Sequence, residues 1–159
     1  MSLTKFGEKL ELRAETEIRV PRINVWNVLT DLERYFQWNP YIVRATGKFA
    51  VGQRIELLVS PPDHGEMRVR RNISELNEPS EFRWAGPYGF GLLLKSDQYF
   101  FLNEAADGAS TRLTVGENLF GPGVTGNNAT VMNIARGLAL MNQALKRRLE
   151  SAHFQTKSR

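Results

Sequence analysis

Residues 9–20, KLELRAETEIRV, alternate in character: Leu10, Leu12, Ala14, Ile18 and Val20 share one parity, and Glu11, Arg13, Glu15, Glu17 and Arg19 share the other. A period of two with one apolar face predicts a long, half-buried strand suited to antiparallel pairing. The spacing then changes. In 21–40, Pro21 suits a first helical turn, and Val25, Trp26, Leu29 and Leu32 recur at helical intervals. Asp31 is placed to cap a second short helix, and Pro40 closes the segment. From about 42 to 120 the chain returns to strands, read at 54–59, 66–76, 81–85, 92–102 and 111–120. Loop-forming stretches (SPPDHGE, NEPS, GPYGFG, NEAADGAS) separate them. A last segment, 127–152, carries Val131, Ile134, Ala135, Leu138, Met141, Leu145 and Leu149 as one apolar stripe, which predicts a long helix with Asn127 or Asn128 as its N-cap.

The order is strand, two short helices, about six strands and one long helix. A sheet with one apolar face must cover that face, and the final helix is the element large enough to do so. The expected class is α+β, a curved antiparallel sheet gripping the C-terminal helix. At 159 residues the chain fits one domain over 1–159, with its core at about 8–153. Absence of cysteine excludes disulfides, thiolate nucleophiles and cysteine zinc sites. No apolar leader opens the sequence, and no apolar run approaches the roughly 20 residues that span a bilayer. A soluble, cytoplasmic protein is expected, with no integral membrane segment.

A net charge of +4 invites a nucleic-acid partner, but the cations are dispersed. Arg68, Arg70 and Arg71 form one group, while Lys146, Arg147 and Arg148 lie in the last turns of the final helix, where cations complement the macrodipole. They read as solvated surface, and no nucleic-acid partner is expected. Gly121, Gly123 and Gly126 have the G-x-G-x-x-G spacing of a dinucleotide loop. That loop works inside a strand–helix–strand unit with an acidic residue about 20 positions on. Here the helix is the last element, and Pro122 removes an N–H that could face phosphate. A tight strand-to-helix turn, or the lip of a pocket mouth, fits better, and no cofactor is expected.

The local text VWNVLTDLERYFQWNPYIVRATGKFAVGQRIELLV (25–59) resembles the polyketide cyclase/dehydrase-like branch of the START-related, birch-pollen-allergen-like helix-grip superfamily, often called SRPBCC. The matching features are Val25-Trp26 followed by Asp31, then Trp38-Asn39-Pro40, Gly47 and Gly52. EFRWAG (81–86), GASTRLTVGENLFG (108–121) and MNQALKRRLE (141–150) fit later segments, so the likeness covers nearly the whole chain. It implies a seven-stranded curved sheet around the C-terminal helix, with a largely apolar cavity between them. Members include lipid carriers, aromatase/cyclases, hormone receptors and chaperone co-factors. No catalytic residue is common to them all, so none carries over.

Candidate chemistry comes from parity. Glu117 shares the apolar side of its strand with Leu113, Val115 and Leu119, and Arg71 shares that of Met67, Val69 and Ile73. An unpaired buried charge costs several kcal/mol, so the two would satisfy each other, clasp a polar ligand group or, at a bulge, turn to solvent. Trp84, Tyr88, Phe90, Tyr99 and Phe101 are candidates for a pocket wall, whereas Trp26 and Trp38 better lock the short helices to the sheet. Ala135, Gly137 and Ala139 are small where large core residues are expected on the helix; facing the sheet beside Leu138 they would leave room for a ligand or equally permit close packing. No metal site is expected, because His64 and His153 are far apart and neither has an i+4 histidine. His64, in a proline-rich loop, is an exposed residue or a pocket-mouth acid/base. Three functions remain open: a carrier of a small lipid-like or aromatic molecule, a cyclase/aromatase-type enzyme, and a chaperone co-factor-like interaction module. Ligand identity and oligomeric state are not encoded in any motif.

Overall fold

The computed structural model describes residues 1–6, 9–88, 94–122 and 124–157. The alternating stretches become strands of one antiparallel sheet: β1 (Ser2–Phe6), β2 (Lys9–Ile18), β3 (Ile42–Thr46), β4 (Arg54–Val59), β5 (Met67–Asn77), β6 (Glu81–Pro87), β7 (Lys95–Glu104) and β8 (Thr111–Phe120). Their order across the sheet is β1-β2-β8-β7-β6-β5-β4-β3. Helix α1 (Arg22–Thr30) and a 3-10 helix (Leu32–Gln37) carry the chain from β2 to the far edge at β3. Helix α2 (Ala129–Lys157) covers the concave face with Val131, Ile134, Leu138, Met141, Leu145 and Leu149, all buried.

The sheet has eight strands rather than the expected seven. The added strand, β1, pairs with β2 from Ser2↔Arg13 to Phe6↔Lys9 at the sheet edge. Backbone hydrogen bonds hold it there. Ser2, Leu3 and Thr4 are all exposed, so no buried face imposes a hydrophobic alternation on these three residues. At the helix ends the side chains behave differently from one another. Asn128 Oδ1 accepts from the N–H groups of Thr130 (2.9 Å) and Val131 (3.4 Å), capping α2 as expected. Asp31 makes no side-chain cap to the 3-10 helix and instead lies 3.5 Å from Arg34. Gly121 takes φ +145° just after β8, so the chain turns there through a conformation that glycine tolerates best. Gly123 lies outside the described residues.

Cross-strand register sorts the concave face into rows. One row runs Ala14, Val115, Phe100, Phe82. The next runs Leu12, Glu117, Gln98, Trp84, Ile73, and the one after it Leu10, Leu119, Ser96, Gly86. Phe82 anchors the apolar half: it stacks on Phe100 (4.2 Å between centroids) and meets Phe49, Trp84 and Trp26 at 5.2, 5.3 and 5.8 Å. Trp26 thus docks α1 against the sheet, as its place in the sequence suggests. Glu117, Gln98, Ser96 and Arg71 enter the other half, toward the loops that join β4 to β5, β6 to β7 and β8 to α2, while Thr111 at the far end of β8 is buried and donates to the Val20 carbonyl at 2.8 Å.

Candidate functional site

Described residues at the ends of those three connections, with the first turns of α2, border a cleft of about 230 Å³. Pro61, His64 and Met67 form one wall, Tyr88 and Leu94 a second, and Pro122 and Val124 a third. Val131 and Ile134 of α2 complete the apolar lining, with Asn128, Thr130 and Asn133 toward the outside. At the rim, exposed Asp63 pairs with Arg136 of α2. Ligand pockets commonly measure about 300–1,000 Å³, so this one suits a single ring or a short chain.

Beneath the Tyr88 wall lies a buried polar layer. Register places Ile55 opposite Arg71, and Gly86 packs so closely on β5 that a Cβ there would meet the Arg71 Cα at 3.5 Å. Arg71 therefore continues the row of Ser96 and Gly86, and the glycine there lets β6 approach the β5 backbone closely. It is 2% exposed, donates through Nη1 to the carbonyls of Arg70 (3.1 Å) and Pro87 (2.5 Å), and sits 5.3 Å from the Tyr88 ring centroid. The Tyr88 and Tyr41 hydroxyls are 2.5 Å apart. Tyr41 in turn lies flush on Gly137 of α2, since a Cβ there would overlap its ring.

Glu117 is 2% exposed and accepts a 2.5 Å hydrogen bond from the Ser96 hydroxyl. Burial raises its pKa, while the nearby positive charge of Arg71 and the Ser96 bond pull it down. Desolvation likewise lowers that of Arg71 and raises those of Tyr41 and Tyr88. The guanidinium nevertheless stays protonated, because its intrinsic pKa is so high. Expectation had allowed Arg71 and Glu117 to form an ion pair. They are close enough to feel each other's charge, but their hydrogen bonds go elsewhere.

The other sequence candidates separate into three groups. Trp84 and Leu138 are both fully buried, and Ala135 packs against the same core. Trp84 Nε1 donates to Gln98 Oε1 at 2.6 Å. These residues belong to the packed core between sheet and helix and do not line the cleft at the open end of the grip. Tyr99 and Phe101 are not wall residues. They lie on the convex face, where Tyr99 packs over Gly116 and donates to Glu11 at 2.6 Å. The Arg83 guanidinium lies 5.4 and 5.1 Å from the Tyr99 and Phe101 rings, and Tyr99, buried beneath this packing and bonded to the Glu11 carboxylate, has its pKa pushed up to about 12. The reason is register: Phe100 pairs with Phe82 and Val115 inside, which forces its neighbours outward. Phe90 lies outside the described residues.

Tyr41, Ser96 and Gln98 were missed. Ser96 and Gln98 share parity with Phe100 and Leu102, so two polar residues on a core face were a readable signal. Tyr41 follows Pro40 between elements and carried none. Several buried polar atoms have no hydrogen-bond partner, including Gln98 Nε2 and both side-chain atoms of Asn142 on α2. Among the described residues, no group of three or more His, Asp or Glu side chains could hold a metal, and no helix is long and apolar enough to cross a membrane.

No family model and no curated protein matches the chain. Solved structures do. One is a START superfamily protein from Mycobacterium smegmatis, at TM-score 0.72 and 19% identity over 89% of this chain and 98% of that one. A second is Ara h 8.0201, at 0.69 and 18% over 90% and 99%. A third is a protein of unknown function, SA2116 from Staphylococcus aureus, at 0.67 and 10% over 92% and 96%. The fold is therefore the START-related, birch-pollen-allergen-like helix grip, as the sequence resemblance implied.

Proposed function

We propose that this helix-grip protein binds a small, largely apolar molecule in the cleft at the open end of the grip. The observation that carries the reading is the pairing of apolar walls with a buried polar floor. Met67, Leu94, Val124, Val131 and Ile134 offer an apolar lining, and Tyr88 joins it to Tyr41, Arg71 and Glu117. Pockets that recognise small molecules combine mostly apolar surface with a few fixed polar groups in this manner. The volume favours a single ring or a short chain over a folded poly-ketone. The test is native mass spectrometry for a retained ligand, followed by thermal shift with a panel of small apolar compounds. A true ligand at a hundredfold excess over its Kd should stabilise the protein by about 2.7 kcal/mol. No retained mass and no shift across the panel would overturn the reading.

A second reading, an enzyme of the cyclase/aromatase type, is favoured by one observation. The Tyr41–Tyr88 pair and the Glu117 carboxyl form a buried set of proton-carrying groups next to the cleft. Under that reading Glu117→Gln loses turnover of a keto substrate while retaining its binding. Turnover that survives the substitution would remove Glu117 from the chemistry.

A further inference from the structure

The cleft and the layer beneath it also bear on the chemical class of the ligand, an inference that rests on the binding function proposed above. Two tyrosine hydroxyls share one 2.5 Å contact. Each carries one hydrogen, so one hydroxyl donates to the other and the accepting hydroxyl keeps a proton for a further acceptor. Tyr88 belongs to both the pair and the cleft wall. With Tyr41 as donor, the spare Tyr88 proton is available to a ligand oxygen.

The charge behind Tyr88 decides what kind of oxygen that is. Arg71 is held against the Tyr88 ring by two backbone carbonyls, which hold it in place without cancelling its charge. The carboxyl in the same layer, Glu117, receives its hydrogen bond from Ser96 instead. No described residue lining the cleft is an aspartate or glutamate. The first turns of α2 open onto the same space, adding the positive end of a 29-residue helix. In a low-dielectric interior a fixed cation directly behind the Tyr88 ring favours an anion at that hydroxyl over a neutral dipole of equal size.

We propose that the cleft takes a short amphipathic acid, its apolar body against Met67, Leu94, Val131 and Ile134 and its carboxylate accepting a hydrogen bond from Tyr88 in front of the Arg71 cation. A neutral alcohol or ester of the same chain length fills the same apolar volume but meets the cation with only a dipole. Discrimination by charge thus separates this site from one that reads hydrophobicity alone.

The test is isothermal titration calorimetry of the intact protein with octanoate, 1-octanol and methyl octanoate at neutral pH. Octanoate should bind at least roughly tenfold more tightly than the alcohol or the ester. Tyr88→Phe and Arg71→Met should reduce the affinity for octanoate and leave that for octanol nearly unchanged. If Arg71→Met does not fold, the comparison of three ligands on the wild-type protein decides alone. Equal or tighter binding of octanol or the ester would overturn the proposal while sparing the apolar-ligand function. Failure of all three to bind, together with a retained neutral ligand in native mass spectrometry, would also overturn it.

Discussion

Gly137 sits where α2 meets the Tyr41 ring, and replacing it with alanine sets two effects of known size against each other. In a helix interior, Gly→Ala ordinarily stabilises by about 1 kcal/mol through backbone entropy. Here the new Cβ would lie 2.8 Å from Tyr41 Cγ and closer still to Cδ2 and Cε2. The ring has little freedom to retreat, because Tyr41 is 3% exposed and its backbone is fixed at both ends. Its N–H donates to Asn39 Oδ1 at 3.0 Å and its carbonyl accepts from Ser60 at 2.7 Å. Overpacking of this kind costs about 1–3 kcal/mol, and losing the hydroxyl contact to Tyr88 about 1 more. The net expectation is a destabilisation of about 1–3 kcal/mol, read as a lower urea midpoint at an unchanged m-value. In a Tyr41→Ala background the clash is gone, so the same substitution should stabilise by about 1 kcal/mol. A Gly137→Ala protein as stable as wild type, with no difference between the two backgrounds, would refute the close approach of α2 to Tyr41.

Two further outcomes follow from the buried polar groups. Burial raises the Glu117 pKa, so the folded protein holds that proton at pH values where the unfolded chain has released it. Stability should therefore be greatest below the ordinary carboxyl pKa of about 4.3 and fall as pH climbs through the raised value, at up to about 1.4 kcal/mol per pH unit. Glu117→Gln, which keeps an acceptor for Ser96, should flatten that slope in urea titrations run across pH; an unchanged slope would mean that Glu117 does not titrate as a buried acid. Asn142 is 2% exposed and neither side-chain polar atom has a partner, so Asn142→Leu, which retains the branched shape, should raise stability by about 1–3 kcal/mol in the same assay. A loss of stability would show that the amide is satisfied by a buried water or ligand.

Much of the architecture was legible because periodicity reports which face of an element is dry. The alternation in 9–20 and the stripe from Val131 to Leu149 predicted β2 and α2 closely, and parity sent Arg71 and Glu117 inward, where both are buried. β1 was not legible, because it is an edge strand whose Ser2, Leu3 and Thr4 are all exposed and show no hydrophobic contrast to read. Tyr99 and Phe101 went to the wrong face for the opposite reason. Tyr99, Phe100 and Phe101 are three consecutive aromatics, so parity divides them without saying which side is the core.

The sequence by itself determined the helix grip and the inward direction of its unusual charges, since those depend on local spacing and on the cost of wetting apolar side chains. Tertiary structure decided the rest. Strand register chose Phe100 over its neighbours, the fit of Tyr41 to Gly137 delivered a tyrosine that no motif announced, and packing placed Trp84 and Leu138 in the core and Tyr88 on the wall of a cleft. These outcomes turn on contacts between residues distant in the chain and on volumes summed over many side chains, neither of which a local pattern contains.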